Sequence, residues 1–437
     1  MTSATTVATV GELRTVVRVG DPAPGPLDDL DAGAGPGRGQ RPGDGRYERI
    51  GCAAVDDSGT VAFSADLAGS GAIVLASGGV PSVVVRAGEP APGGGRYRSF
   101  AEIDLADGGA LLFRAGLDGC PAREGVFLRT PAGTRAVVRA GDPIPGGDGR
   151  YASFAQLTLA SPGGPDPLAP GKAEPLALAG KAGPLALAYV ARLDDRRTCL
   201  VQHPAHRGPM VSLMSGSELP DGAVAGFVIS RLGLALCCVA DVQRRTGPSR
   251  RALIVNESTV SSGDWLREGG DLPGLGRISR LLVPPAVNAQ LGILAVRAGR
   301  RGALCTRPPA FADPVVLART GDRLPGLPGE RITRFGPPVA STSTGLQAPF
   351  GVASAVRLTG GRTGLWVGVF GSQLPMTGRA IAPLLTGEPT DDRPALAVRA
   401  FTPVQLGNDG TLLLRATFDS GADGLVVLDS LFDWYAG

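Results

Sequence analysis

The chain has 437 residues, 43% hydrophobic but only 5% aromatic, so it can bury a sizeable core made chiefly of Val, Leu, Ile and Ala. Its formal net charge is +3, its Lys residues stand only at positions 172 and 181, and it contains no Lys/Arg tract, which argues against nucleic acid as a partner. No run of about 18 apolar residues offers a membrane span, and the six cysteines, with no CxxC pair, read as free thiols.

The N-terminal stretch MTSATTVATVGELRTVV has neither a basic nor an apolar leader region, so a cytoplasmic location is expected. Leu13–Val19 (LRTVVRV) reads as a strand running into a turn, Gly20-Asp21-Pro22. That block then recurs. VVRVGDPAPG at 16–25 returns as VVRAGEPAPGGGRYRSF at 84–100 and VVRAGDPIPGGDGRYASF at 137–154. Weaker copies lie at 213–222, 266–278, 317–335 and 384–392. The marker glycines are Gly20, Gly88, Gly141, Gly216, Gly270, Gly321 and Gly387. Where the repeat is shortest they recur about every 50 residues, room for four short strands. Longer intervals carry Pro/Gly/Ala-rich insertions at 26–44 and 161–184 and a third excess within 336–380, all expected to be surface loops.

In the second unit the expected strands are Tyr97–Leu105, Ala110–Gly116, Gly125–Arg129 and Arg135–Ala140. Each is short, apolar and bounded by Gly, Pro or Asp, and no long stretch has helical periodicity. The expected fold is all-β: a seven-bladed β-propeller of four-stranded antiparallel blades. Six blades are expected at 45–88, 95–141, 150–216, 222–270, 276–321 and 330–387. The seventh, 396–437, supplies only three strands: Ala397–Val404, Thr411–Phe418 and Gly424–Asp429. Its outer strand is expected from residues 10–20, so that the N-terminal strand closes the ring.

The repeats resemble the bacterial tandem-repeat proteins named for their NxxGxxAF motif. The first unit reads Asp56-Asp57-Ser58-Gly59-Thr60-Val61-Ala62-Phe63, with Asp56 at the Asn position and Gly59, Ala62 and Phe63 matching. Gly109, Phe113 and Gly410 match in other units, and a Gly-Asp/Glu-x-x-Pro-Gly turn follows. The resemblance implies a repeat scaffold, offers no catalytic residues to carry over, and comes with relatives that are often exported.

One acidic residue stands at each marker turn, Glu218 shifted by one place: Asp21, Glu89, Asp142, Glu218, Asp271, Asp322 and Glu388. These carboxylates either gather on one face and bind cations or basic groups, or close their own turns by accepting backbone N–H bonds and pairing with the neighbouring Arg. Repetition in every unit favours the structural role. Arg114, Arg192, Arg297, Arg357 and Arg415 recur near the ends of second strands. They either line the axis and hold an anion or cover the sheet and pair with the turn acids. His203 and His206 lack a further ligand at a metal-site spacing, and Cys237-Cys238 lies in a strand where the two side chains point to opposite faces. Glu102, Asp104 and Gln156 are the unusual polar points of the axial strands. No catalytic residue, metal site or cofactor is expected. The sequence favours a non-catalytic scaffold for protein–protein interaction. The alternative is a small-ligand binder or enzyme using the axial funnel.

Overall fold

The computed structural model describes residues 13–24, 45–160, 186–204, 208–219, 222–230, 236–256, 266–288, 291–307, 314–324, 327–341, 350–370, 378–386, 389–390, 393–429 and 431–432. The insertions at 26–44 and 161–184, His206, Gly387 and Glu388 lie outside the described residues. The described residues contain no helix long and apolar enough to cross a membrane.

The protein is a seven-bladed β-propeller of antiparallel blades. Blade 1 is the plainest. Tyr47–Val55, Val61–Leu67, Ser70–Ser77 and Val80–Arg86 pair in sequence order, from axis to rim. Blade 2 (Arg96–Ala106 to Gly133–Arg139) and blade 3 (Tyr151–Leu159 to Met210–Met214) repeat the order. Among the described residues of blade 4, Gly222–Ile229, Leu236–Arg244 and Arg250–Asn256 form full strands, and a bridge from Arg267 to Ala252 marks the rim. In blade 7, Leu13–Arg18 pairs antiparallel with Asp423–Leu428, so the first strand of the chain is the outer strand of the last blade.

Blades pack on both faces, which explains why second strands read as unbroken apolar runs rather than alternating ones. Val61–Leu67 is buried at six of its seven positions. Seven separate hydrophobic clusters result, one for each interface around the ring. Ile73 of blade 1 packs with Phe113 and Phe127 of blade 2, and Val17, Leu413 and Val427 of blade 7 pack with Tyr47 and Phe63 of blade 1. Each large side chain so buried contributes roughly 1.5–3 kcal/mol relative to exposure.

The first strands are irregular, and this positions the site. In blade 1 the register shifts between Tyr47 and Arg49 and again between Ile50 and Ala53. Blades 2, 3, 6 and 7 also carry two shifts, the first at the matching place in each and the second one or two residues later in blades 2 and 7. In blade 5 the first strand splits into Arg280–Leu281 and Ala286–Asn288. Pro284, Pro285, Pro337, Pro338 and Pro403 occupy these irregular stretches, where a ladder donor is not required. A bulge also re-aims the side chains beside it.

Polar side chains tie neighbouring blades near the axis. Asp104 of blade 2 accepts from Leu159 N (2.7 Å) and from Thr158 Oγ1 (3.1 Å) in blade 3. Gln405 of blade 7 does the same for blade 1, accepting from Val55 N at 3.2 Å and donating to the Val55 carbonyl. Gln156 of blade 3 accepts from Ile229 N of blade 4 at 3.0 Å.

Candidate functional site: an arginine-lined pocket on blades 4 to 6

The repeated turns are built from three devices. The marker glycine takes a left-handed conformation, φ +92° at Gly20 and +95° at Gly141 and Gly321, where an L side chain would be strained. The acidic residue accepts a hydrogen bond from the backbone N–H three residues back: Asp21 from Arg18 (2.9 Å), Asp142 from Arg139 (2.7 Å) and Asp322 from Arg319 (2.7 Å). The arginine opening the next blade donates to the glycine carbonyl: Arg96 to Gly88 (2.6 Å), Arg150 to Gly141 (2.7 Å), Arg331 to Gly321 (2.7 Å), and Arg46 to Gly20. Of the two neighbouring arginines that could pair with a turn acid, this one gives its guanidinium to the carbonyl. Asp21 instead pairs with the preceding Arg18, at 3.1 Å.

One marker glycine shifts by one residue, and Glu218 stands one place off its turn as the sequence reads. Around blade 4 the left-handed glycine is Gly269 (φ +85°), whose N–H reaches the Ile278 carbonyl, while Gly270 stands at the acidic place. The Arg267–Ala252 bridge fixes that register, and Asp271 sits one place on, exposed, opposite Arg277. Between blades 3 and 4, Ser217 takes the acidic place, and Glu218 reaches Arg245 at 3.2 Å on the surface. Glu89 keeps the backbone turn, with its side chain exposed. Glu388 lies outside the described residues.

The second-strand arginines fall into two registers. Arg114 and Arg415 serve the frame: Arg114 lies 3.5 Å from Glu124, and Arg415 of blade 7 donates to the Ile50 (3.1 Å) and Gly51 carbonyls of blade 1. Arg192, Arg297 and Arg357 stand two residues further along, and Arg192 and Arg357 lie opposite the residue that follows the first irregularity of their blades. Arg280 faces Arg297 and Arg334 faces Arg357. At the same place Arg49 faces Asp66 in blade 1, Ser99 faces Gly116 in blade 2, Ser153 faces Arg192 in blade 3 and Ala400 faces Thr417 in blade 7. In blade 1 the pair closes as an ion pair of 2.8 Å. In blades 5 and 6 like charges stand directly opposite, an arrangement that costs stability.

Arg280, Arg334 and Arg357 meet at a cavity of about 550 Å³. Arg251, Arg280, Arg334 and Arg357 line it, with Leu282, Val283, Phe335, Pro337 and Val356 as its apolar wall. Arg251 is partly neutralised by Asp241 at 2.9 Å. Arg280 and Arg334 are exposed, and among the described residues their side chains make no hydrogen bond or ion pair. Sequence reasoning singled out Arg297 and Arg357 but not Arg280 and Arg334. The usable signal was RISR and RITR in blades 5 and 6, against RYER answered by Asp66 in blade 1.

Other reactive groups are quenched by burial. Desolvation pushes the Cys238 and Cys305 thiols up to about 12 and Cys199 to about 11, so they stay protonated at neutral pH. His203 is pushed down to about 4, first by burial and then by Arg135, and lies 3.4 Å from the Tyr189 hydroxyl. All six cysteines are free. Among the described residues no three His, Cys, Asp or Glu side chains gather as metal ligands. Glu102 alone retains axial interest: its φ is +47°, and burial raises its pKa against the lowering effect of Arg114.

The profile of a family of unknown function, DUF7453, matches residues 2–165. No curated protein matches the chain. Among solved structures, the chain is similar to prolyl oligopeptidase B from Galerina marginata, at 9% identity and a TM-score of 0.44 over 87% of this chain and 49% of that one. The WD40 domain of SCAP from fission yeast gives 7%, a TM-score of 0.41, and 87% and 95% coverage. The BP39L lectin from Burkholderia pseudomallei gives 15%, 0.38, and 86% and 98%.

Proposed function

We propose that this chain is a non-catalytic binding propeller that holds a protein partner, with an acidic segment of that partner seated against the arginine pocket of blades 4 to 6. The observation that carries the reading is the two ladder positions where like charges stand opposite, Arg280 to Arg297 and Arg334 to Arg357, beside a cavity where, among the described residues, Asp241 is the carboxylate paired with a lining arginine. The fold does not need them, since serine stands opposite glycine at that register in blade 2. A cost kept in two adjacent blades and absent elsewhere suits a surface that meets negative charge from outside. Asp104, Gln156 and Gln405 near the axis are engaged in holding blades together, and the buried Cys199, Cys238 and Cys305 thiols are protonated, which supports binding over catalysis.

The test is binding of a fluorescent Glu-rich peptide to the full-length chain, followed by anisotropy. Binding that weakens with added salt and is lost in Arg334→Glu supports the reading. Binding unchanged in that variant overturns it.

A further inference from the structure

The proposed reading leaves open which anionic group the pocket takes, and on that reading we infer that it is a phosphate monoester, carried on a side chain of the protein partner. Four guanidinium groups line one cavity, and Asp241 offsets one of them. A single carboxylate would leave most of the remaining charge unbalanced. A phosphate monoester brings a charge of about −1.5 to −2 and three acceptor oxygens, enough for two guanidinium forks at once. Every cation on the wall is Arg, whose planar fork matches such an oxyanion bidentately, where an ammonium would act only as a point charge. The forks come from strands of adjacent blades held apart by the rigid ring, which suits a tetrahedral group more than a flat one. The half-buried Leu282 and Val283 and the exposed Pro337 give the organic stem of the ester an apolar surface.

The neutral control is written in the repeat itself. Serine stands at the Arg280 and Arg334 register in blades 2 and 3, so Arg280→Ser with Arg334→Ser is a substitution the blade already accepts. Titration calorimetry of the full chain with phenyl phosphate, benzoate and inorganic phosphate reads the chemistry. Phenyl phosphate is expected to bind at least about tenfold tighter than benzoate, and the double variant to lose that binding while melting no lower than the parent. Equal affinity for benzoate, or phenyl phosphate binding unchanged in the variant, overturns the inference. If phenyl phosphate does not bind while the Glu-rich peptide still binds through Arg334, this inference falls and the scaffold reading stands. If neither binds, both fall. A phosphotyrosyl peptide against glycerol phosphate separates the sources: tighter binding of the peptide supports a protein-borne phosphate, and binding of glycerol phosphate alone overturns it.

Discussion

The seam between blades 7 and 1 and the wall of blades 5 and 6 use the same residue types to opposite ends. At the seam the polar groups are spent internally. Arg415 bonds two carbonyls of blade 1, Gln405 bonds Val55 twice, the Asn408 side chain meets Asp57 at 2.7 Å, and Arg49 closes on Asp66. At the wall, Arg280 and Arg334 occupy the Arg49 register and face arginines instead of a carboxylate. The difference shows that arginine in this chain is not one signal. Its meaning is set by what stands across the ladder, since a guanidinium bonded to carbonyls is structural and one placed opposite its like is held for something else.

The comparison can be broken at the seam first. Deleting residues 1–20 removes Leu13–Arg18 and bares the edge of Asp423–Leu428. The truncated chain is expected to aggregate or lose cooperative unfolding in a thermal melt. Soluble, monomeric melting at the parent temperature would show that the strand is dispensable. Next in size, Arg415→Ala orphans two carbonyl partners and is expected to cost about 1–3 kcal/mol in urea titration. Asp142→Ala, at an ordinary turn, strips one backbone partner from Arg139 and should cost about 1 kcal/mol by the same measurement.

The smallest change sharpens the contrast most. Arg357→Asp writes the blade 1 pair into blade 6 and is expected to stabilise the chain by about 0.2–1 kcal/mol while weakening anion binding. A destabilised variant would mean that Arg357 has a supporting role of its own. Stability and binding should move in opposite directions at the wall and nowhere on the seam.

The repeat was legible because its turn chemistry is local. Gly20, Gly88, Gly141 and Gly321 are left-handed glycines in the structure, as a Gly-Asp/Glu-x-x-Pro turn requires. The reading slipped by one at Gly269-Gly270, where two glycines adjoin and only the distant Arg267–Ala252 bridge selects between them. At Gly216 the one-place shift of Glu218 was legible, and Ser217 takes the acidic place there. The pocket was hidden for a related reason. Which residue faces Arg357 depends on how many bulges precede it, and each bulge moves the facing side chain by one place. Arg297 and Arg357 could be picked out, but their opposites could not.

The borrowed outer strand of blade 7 sets a timetable for synthesis. Leu13–Arg18 leaves the ribosome about 400 residues before Asp423–Leu428, the strand it pairs with. At roughly 5–20 residues per second that interval lasts some tens of seconds. Throughout it the nascent chain carries a solitary strand of sequence LRTVVR, along with whatever blades have already assembled. Two arginines in six residues keep that waiting segment from being a purely apolar template for its neighbours on the same messenger.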